Sequence, residues 1–175
     1  KDVAAKVGIK SEREILSIFP RGSAQQTTLR EALEGVEVSE KERYHLKAIA
    51  RKSSQYELVR SLPKNPPKNI GMKDIQKSWS SDVQLRRLSW DDVAQTLTQQ
   101  DSQSRTLGGS YHPEEDRKLT INELKRIQAL PDDFILTGTF DQRAERIGRM
   151  VPPMMTKYLA QSIYEKVLLP FSKVK

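Results

Sequence analysis

Five times along the chain a Ser or Thr stands three residues before a Glu or Gln: Ser11/Glu14, Thr28/Glu31, Ser39/Glu42, Thr120/Glu123 and Thr139/Gln142. This is the spacing of a helix capping box. The hydroxyl accepts from the N–H of the third helical residue, and the carboxylate or amide reaches back to the N–H of the cap. Most of these pairs precede apolar residues at helical spacing, so the chain is expected to be rich in short helices. The first should stop by Pro20, whose ring clashes with a preceding helical turn. The second, with Leu29 and Leu33 inward, should end at Gly35, a natural left-handed cap. A third helical stretch runs from Ser39 to about Leu62, with Leu46, Ile49, Tyr56 and Val59 near one face and a break at Ser53-Ser54. Pro63-Lys64-Asn65-Pro66-Pro67 then excludes both helix and central strand, which leaves a rigid connector.

From Gly71 to His112 the chain is polar, with short apolar pairs that read as short strands and ordered loops. Trp79, Trp90 and Tyr111 argue that this part is anchored to a core, and Gly108-Gly109 permit an unusual turn. Beyond it, Leu119 and Leu124 fit a hydrophobic staple around Thr120, with Ile121, Leu124 and Ile127 inward and Pro131 ending the helix. A short helix from Phe140 is expected to stop at Gly148. A last one begins at Val151-Pro152-Pro153, with the apolar stripe Met155, Leu159, Ile163 and Val167. The fold class is therefore α+β and helix-rich, with a small irregular β element between about Gly71 and Tyr111.

Lys and Arg number 30 against 23 acids, a formal +7. Between Arg60 and Trp90 seven basic residues (Arg60, Lys64, Lys68, Lys73, Lys77, Arg86, Arg87) face two acids, so this stretch supplies +5 of that charge. Such a concentration favours polyanions, although a solvated lysine-rich loop would have the same composition. There is no cysteine, which excludes disulfides, thiolate metal sites and cysteine nucleophiles within this chain. No apolar run approaches the ~18 residues of a membrane span. His112 lacks a second ligand at zinc spacing, Asp132-Asp133 read as a turn and His45 as a surface or boundary residue, so no metal is expected. The chain opens at Lys1 without methionine, and it is expected to be part of a longer protein.

Two stretches in the final third carry a pattern. The first runs Asp116-Arg117-Lys118-Leu119-Thr120-Ile121-Asn122-Glu123-Leu124-Lys125-Arg126-Ile127-Gln128-Ala129-Leu130-Pro131-Asp132-Asp133-Phe134. The second is Arg146-Ile147-Gly148-Arg149-Met150-Val151-Pro152-Pro153, followed by an amphipathic helix. In this order they resemble the last two conserved motifs of the DNA cytosine-C5 methyltransferases. Those run roughly Arg-x-Leu-Thr-x-x-Glu-x-x-Arg-x-Gln-x-Phe-Pro-Asp-x-Phe and Ile-Gly-Asn-x-Val-Pro-Pro. Leu130 replaces the aromatic before proline, and Arg149 replaces the asparagine.

The resemblance implies a division into a connector (1–38), a target-recognition region (39–112), and conserved motifs with a helix that packs on the catalytic domain (113–175). It implies methyl transfer from S-adenosylmethionine to carbon 5 of cytosine in duplex DNA. The nucleophile and most of the donor site would lie in the remainder of the protein, so this chain alone is expected to be inactive. It also implies a cytoplasmic bacterial protein working at the nucleoid, in a restriction-modification system or alone. Arg86 and Arg87 are candidates for guanine or phosphate contact, because the guanidinium fork matches guanine O6/N7; pairing with Asp91 and Asp92 is the alternative. Thr96, Thr98, Gln99, Gln100, Ser102 and Arg105 fall in the implied reading loop, and Arg117 organises the junction or touches DNA. Gly148, Arg149, Met150 and Val151 occupy the loop that borders the donor site in the family, with Arg149 leaving backbone contacts there. The stripe of the last helix, if unpartnered, favours self-association. A non-enzymatic basic module that binds nucleic acid, or a purely structural interaction domain, are the other readings of the same composition.

Overall fold

Reciprocal capping boxes close at Thr28, Thr120 and Thr139, where the sequence places them. The computed structural model describes residues 11–22, 25–53, 56–78, 85–98 and 109–172. Its first helices are α1 (Glu12–Ile18), α2 (Leu29–Leu33), α3 (Glu40–Lys52) and α4 (Tyr56–Ser61). Helix α1 ends before Pro20, and Gly35 takes a positive φ of 67° just past α2. Ser39 caps α3 by accepting from the Glu42 N–H, but the box is not reciprocated. The Glu42 carboxylate is drawn instead to the Ile121 N–H and to Arg143, each at 3.1 Å.

The β element is a three-stranded mixed sheet ordered β1 (Ile70–Gly71), β2 (Leu85–Arg87) and β3 (Gly109–Tyr111). Strands β1 and β2 run antiparallel with Ile70 opposite Arg87, while β2 and β3 run parallel with Arg87 opposite Tyr111. A parallel pair needs a long crossover, and the chain between β2 and β3 is long enough to supply it. A short helix, α5 (Met72–Ile75), follows β1 and was not expected from the sequence; the Asp74 carboxylate accepts from the Gly71 N–H at 2.7 Å and starts it. Helices α6 (Ile121–Ile127), α7 (Phe140–Arg149) and α8 (Pro153–Ile163) complete the set, then a π-helical turn (Tyr164–Leu168) and α9 (Leu169–Ser172). Gly148 does not stop α7, correcting that expectation. The helix runs one residue further, and Met150 turns extended ahead of Val151 and Pro152. A residue before proline is disfavoured in the helical region, so the prolines set the end.

The chain forms two compact units, one from Gln26 to Met150 and one from its two ends, up to Gln25 and from Val151. Compactness thus divides the chain at points other than the expected division of roles at 38 and 112. In the larger unit, Leu29 and Leu33 of α2, Leu119, Ile121 and Leu124 around α6, and Ala144 and Ile147 of α7 share one core with Leu88 and Leu97. A second cluster gathers Val59, Leu62, Met72, Leu85 and Tyr111 under the sheet. In the unit made by the ends, Ser162 of α8 and Lys166 donate to carbonyls of α1 at Ile18 and Ser17. The expected stripe is half in solvent: Met155 is 55% and Ile163 45% exposed, while Leu159 and, in the following turn, Val167 are half-buried.

Gly138 shows how tightly α7 begins. Its φ is +103°, and a Cβ there would lie 2.6 Å from the Gln142 amide oxygen that closes the capping box. Gly138→Ala is expected to cost about 1–2 kcal/mol, through backbone strain and loss of the cap, read as a lower urea midpoint.

Candidate nucleic-acid interface

Side chains of a strand alternate between faces, so neighbouring arginines on β2 meet opposite fates. Leu85 and Arg87 point into the fold and Arg86 points away. Arg86 is half-buried, lies beside Gly71 of β1 and donates to the Gln95 amide oxygen. Residues 88–98 then cross the larger unit in a fixed path. Leu88 and Leu97 are buried in its core, and the Asp92 and Trp90 carbonyls accept from the Leu29 and Arg30 N–H groups at 2.9 and 3.0 Å. Asn69, just before β1, holds the same path: its amide oxygen accepts from Ser89 N–H and its amide nitrogen donates to the Val93 carbonyl, both at 2.8 Å. With Leu97 anchored, Thr96 and Thr98 on either side of it are exposed. Gln99, Gln100, Ser102 and Arg105 lie outside the described residues.

The basic stretch divides by partner. Arg60 pairs with Glu57 and Lys64 with Asp116 at 3.5 Å; outside the stretch, Arg30 pairs with Asp91 at 3.1 Å. Lys68, Lys73 and Lys77 are exposed and, among the described residues, enter no ion pair. These three and Arg86 are the charges that remain on offer beside β1 and the 88–98 path.

Arg87 is not among them. It is fully buried, and its guanidinium donates to the carbonyls of Val59, Leu62, His112 and Glu115 and to the Asp116 carboxylate at 2.7 Å. The expectation that it touches DNA is corrected: a guanidinium with its fork filled by the fold presents nothing to a base or phosphate. Nor do the expected partners appear, since Asp91 pairs with Arg30 and Asp92 accepts from the N–H groups of Asn69 and Val93.

Arg117 is corrected in the same way and falls to the junction. It is 2% exposed and bidentate to Glu123 at 2.8 and 2.9 Å, and it also donates to Glu115. Glu123 in turn accepts from the N–H and hydroxyl of Thr120. Burial alone would raise the Glu123 carboxyl, but the bonds from Arg117 and Thr120 hold it below its usual range. Glu115 is likewise held low against its burial by Arg43, Lys47 and Arg117. His112 accepts from the Glu114 and Glu115 N–H groups through Nδ1, and burial with the nearby Arg117 lowers its pKa to about 4. The neutral imidazole stands edge-on to Trp90 at 5.2 Å, and the Trp90 N–H donates to Glu114. These contacts brace the turn between β3 and α6.

The residues expected near the methyl donor are consecutive, at the end of α7 and just past it. Gly148 is half-buried within α7, Arg149 pairs with Glu145 at 2.9 Å, and Met150 packs on the core of the larger unit. Val151 belongs to the other unit and is 60% exposed. They line neither described cavity; the roomier, about 740 Å³, lies between α3 and the start of α7, against His45, Lys52 and Phe140.

The model of the C-5 cytosine-specific DNA methylase family matches residues 5–165. The chain belongs to that family. It is 34% identical over 104 residues, 59% of its length, to the Type II methyltransferase M.Eco47II of Escherichia coli, covering 24% of that protein. It is 36% identical over 101 residues, 55% of its length, to the Type II methyltransferase M.Sau96I of Staphylococcus aureus, covering 23%. A plant relative, DNA (cytosine-5)-methyltransferase 2 of Arabidopsis thaliana, is 35% identical over 66 residues, 38% of this chain and 4% of its own. The chain thus spans about a quarter of the two bacterial relatives.

In this methylase chain the residue that sequence reading passed over is Asn69. It sits between a lysine and a two-residue strand, and nothing in its neighbourhood reveals that its bonds reach twenty or more positions along the chain. Asp116 was equally hidden: as one acid in the run Glu114-Glu115-Asp116, it carried no sign of a buried arginine partner.

Proposed function

We propose that this chain is the DNA-reading portion of a cytosine-C5 DNA methyltransferase that acts on duplex DNA with S-adenosylmethionine as methyl donor. The observation that carries the reading is the exposed pair Thr96 and Thr98, set on the buried Leu97 beside Arg86 and Lys68, Lys73 and Lys77, which enter no ion pair among the described residues. Lysines that hold no carboxylate are free to hold phosphates and set the register, while a fixed loop entry can present side chains to base edges. The methyl acceptor carbon is shielded in a stacked helix, so the whole enzyme must flip the base, and its nucleophile must come from outside a chain that has no cysteine. The chain alone is therefore read as catalytically silent, and donor binding as resting mainly on the remainder of the enzyme. Its working place would be the bacterial nucleoid, and the half-exposed α8 stripe would meet the catalytic domain or, without it, a second copy.

The test is selection by this chain from a randomised duplex pool at moderate salt. Enrichment of one short cytosine-containing site is expected. Binding without enrichment would favour a basic clamp that reads nothing alone, and no binding at low salt would overturn the reading. Replacing Lys68, Lys73 and Lys77 together with Ala should weaken all duplexes alike and flatten the plot of log affinity against log salt by about three units, roughly one for each phosphate no longer neutralised.

A further inference from the structure

We infer that Asn69 is a positioning residue for sequence reading, one that fixes where the recognition loop leaves the core; this rests on the reading above. Three of its polar groups are committed to one segment. The amide oxygen takes the Ser89 N–H, the amide nitrogen holds the Val93 carbonyl, and the backbone N–H donates to the Asp92 carboxylate at 3.0 Å. Ser89 is fully buried, so its N–H has no solvent to turn to. The two side-chain bonds grip the Ser89–Val93 turn at both ends and set the direction in which the chain proceeds to Thr96, Leu97 and Thr98.

The grip is also short-coupled to the charged surface. Asn69 is flanked by the exposed Lys68 and by Ile70, which pairs with Arg87 in the sheet. Arg86 beside it reaches Gln95, the residue before Thr96. One asparagine therefore holds the phosphate-facing connector and the base-facing loop entry in a single frame. A displacement of about 1 Å at such an entry is enough to misalign bidentate base contacts, which are distance- and angle-limited. Bulk attraction to phosphate does not depend on that alignment.

Two variants separate positioning from bulk structure. Asn69→Ala removes both side-chain bonds. Asn69→Asp keeps the shape and the acceptor for Ser89 N–H, but sets a carboxylate against the Val93 carbonyl. Binding is measured by fluorescence anisotropy on the duplex selected by the native chain and on its scrambled counterpart, with amide hydrogen exchange followed by NMR. The expected result is an about tenfold fall in the selected-to-scrambled ratio for both variants, the size of one to two missing hydrogen bonds; scrambled binding and its salt slope stay unchanged in Asn69→Ala, while the carboxylate that Asn69→Asp adds beside Lys68 weakens both duplexes by a common factor that the ratio cancels. Ser89 N–H exchange should accelerate in Asn69→Ala and stay slow in Asn69→Asp, with protection in α6 and α7 retained in both. An unchanged ratio in either variant would overturn the positioning role, and unchanged Ser89 exchange in Asn69→Ala would overturn the grip itself. Equal losses on both duplexes in Asn69→Ala would reduce Asn69 to a structural residue. A native chain that discriminates between no duplexes would be recognised before any variant is compared; it would overturn the sequence-reading function, and the positioning role with it.

Discussion

Replacing Arg87 with Met is expected to destabilise the Gln26–Met150 unit by about 3–5 kcal/mol, the range for removing one partner of a buried, hydrogen-bonded charge. Five acceptors lose this guanidinium at once; the Val59 and Glu115 carbonyls keep the Leu62 and Arg117 N–H groups at 3.3 and 2.8 Å. The Val59 and Leu62 carbonyls lie at the end of α4, where a cation also meets the negative end of the helix, and the His112 and Glu115 carbonyls lie in the turn between β3 and α6. Asp116 would keep Lys64 at 3.5 Å as its cation among the described residues. Arg87→Lys should recover a minor part of the loss, because one ammonium has three donors and cannot span acceptors arrayed around a planar fork. Urea unfolding followed by circular dichroism gives the comparison, and a loss under about 0.5 kcal/mol for Arg87→Met would remove the buried arginine from the account of the fold. At temperatures where the variant stays folded, the salt dependence of DNA binding should match the native chain, since this charge is not offered to phosphate.

Adjacent arginines make plain what the sequence could disclose. Arg86-Arg87 on a strand must point to opposite faces, but a three-residue strand has too little alternation to say which is inside, and an arginine is seldom the inward one. The capping boxes at Thr28, Thr120 and Thr139 were legible because their partners lie three residues apart and need no knowledge of the rest of the chain. Ser39 is the informative exception: Glu42 had a competing pair of partners in Ile121 and Arg143, distant in sequence, and the box closed only halfway. The family pattern was legible for a similar reason, since Leu119, Thr120, Glu123 and Leu124 form one local device of cap and staple. Asn69 and Asp116 were not, because their roles exist only once β1, β2 and the following turns have come together.

Breaking the Arg117–Glu123 pair from one side is expected to cost about 3–5 kcal/mol, whereas replacing both members with apolar residues of similar volume should cost far less. Arg117→Met, Glu123→Leu and the double variant form a cycle whose coupling term isolates the pair. His112 reports the electrostatics independently. Arg117 pushes its pKa down and Glu123 pushes it up, so the imidazole should titrate higher in Arg117→Met and lower in Glu123→Gln. The pH dependence follows from the same shifts. His112 falls from 6.5 unfolded to about 4 folded, so the folded state refuses a proton that the unfolded chain accepts. The stability it contributes is complete above pH 6.5 and is lost as pH falls toward 4, at no more than about 1.4 kcal/mol per pH unit. Glu115 and Glu123 are also held below their ordinary value of 4.5, so theirs is present above that value and lost as pH falls through their folded pKa values. All three therefore act in one direction, and unfolding midpoints should fall steadily from pH 7 to pH 3. His112→Gln keeps an acceptor near the Glu114 and Glu115 N–H groups but cannot titrate; it should flatten the upper part of the profile, between pH 6.5 and 4, and leave the steeper loss below it. A profile equally steep in that variant would mean that the acid sensitivity arises from the carboxylates alone, and that His112 acts only as the acceptor that shapes the turn.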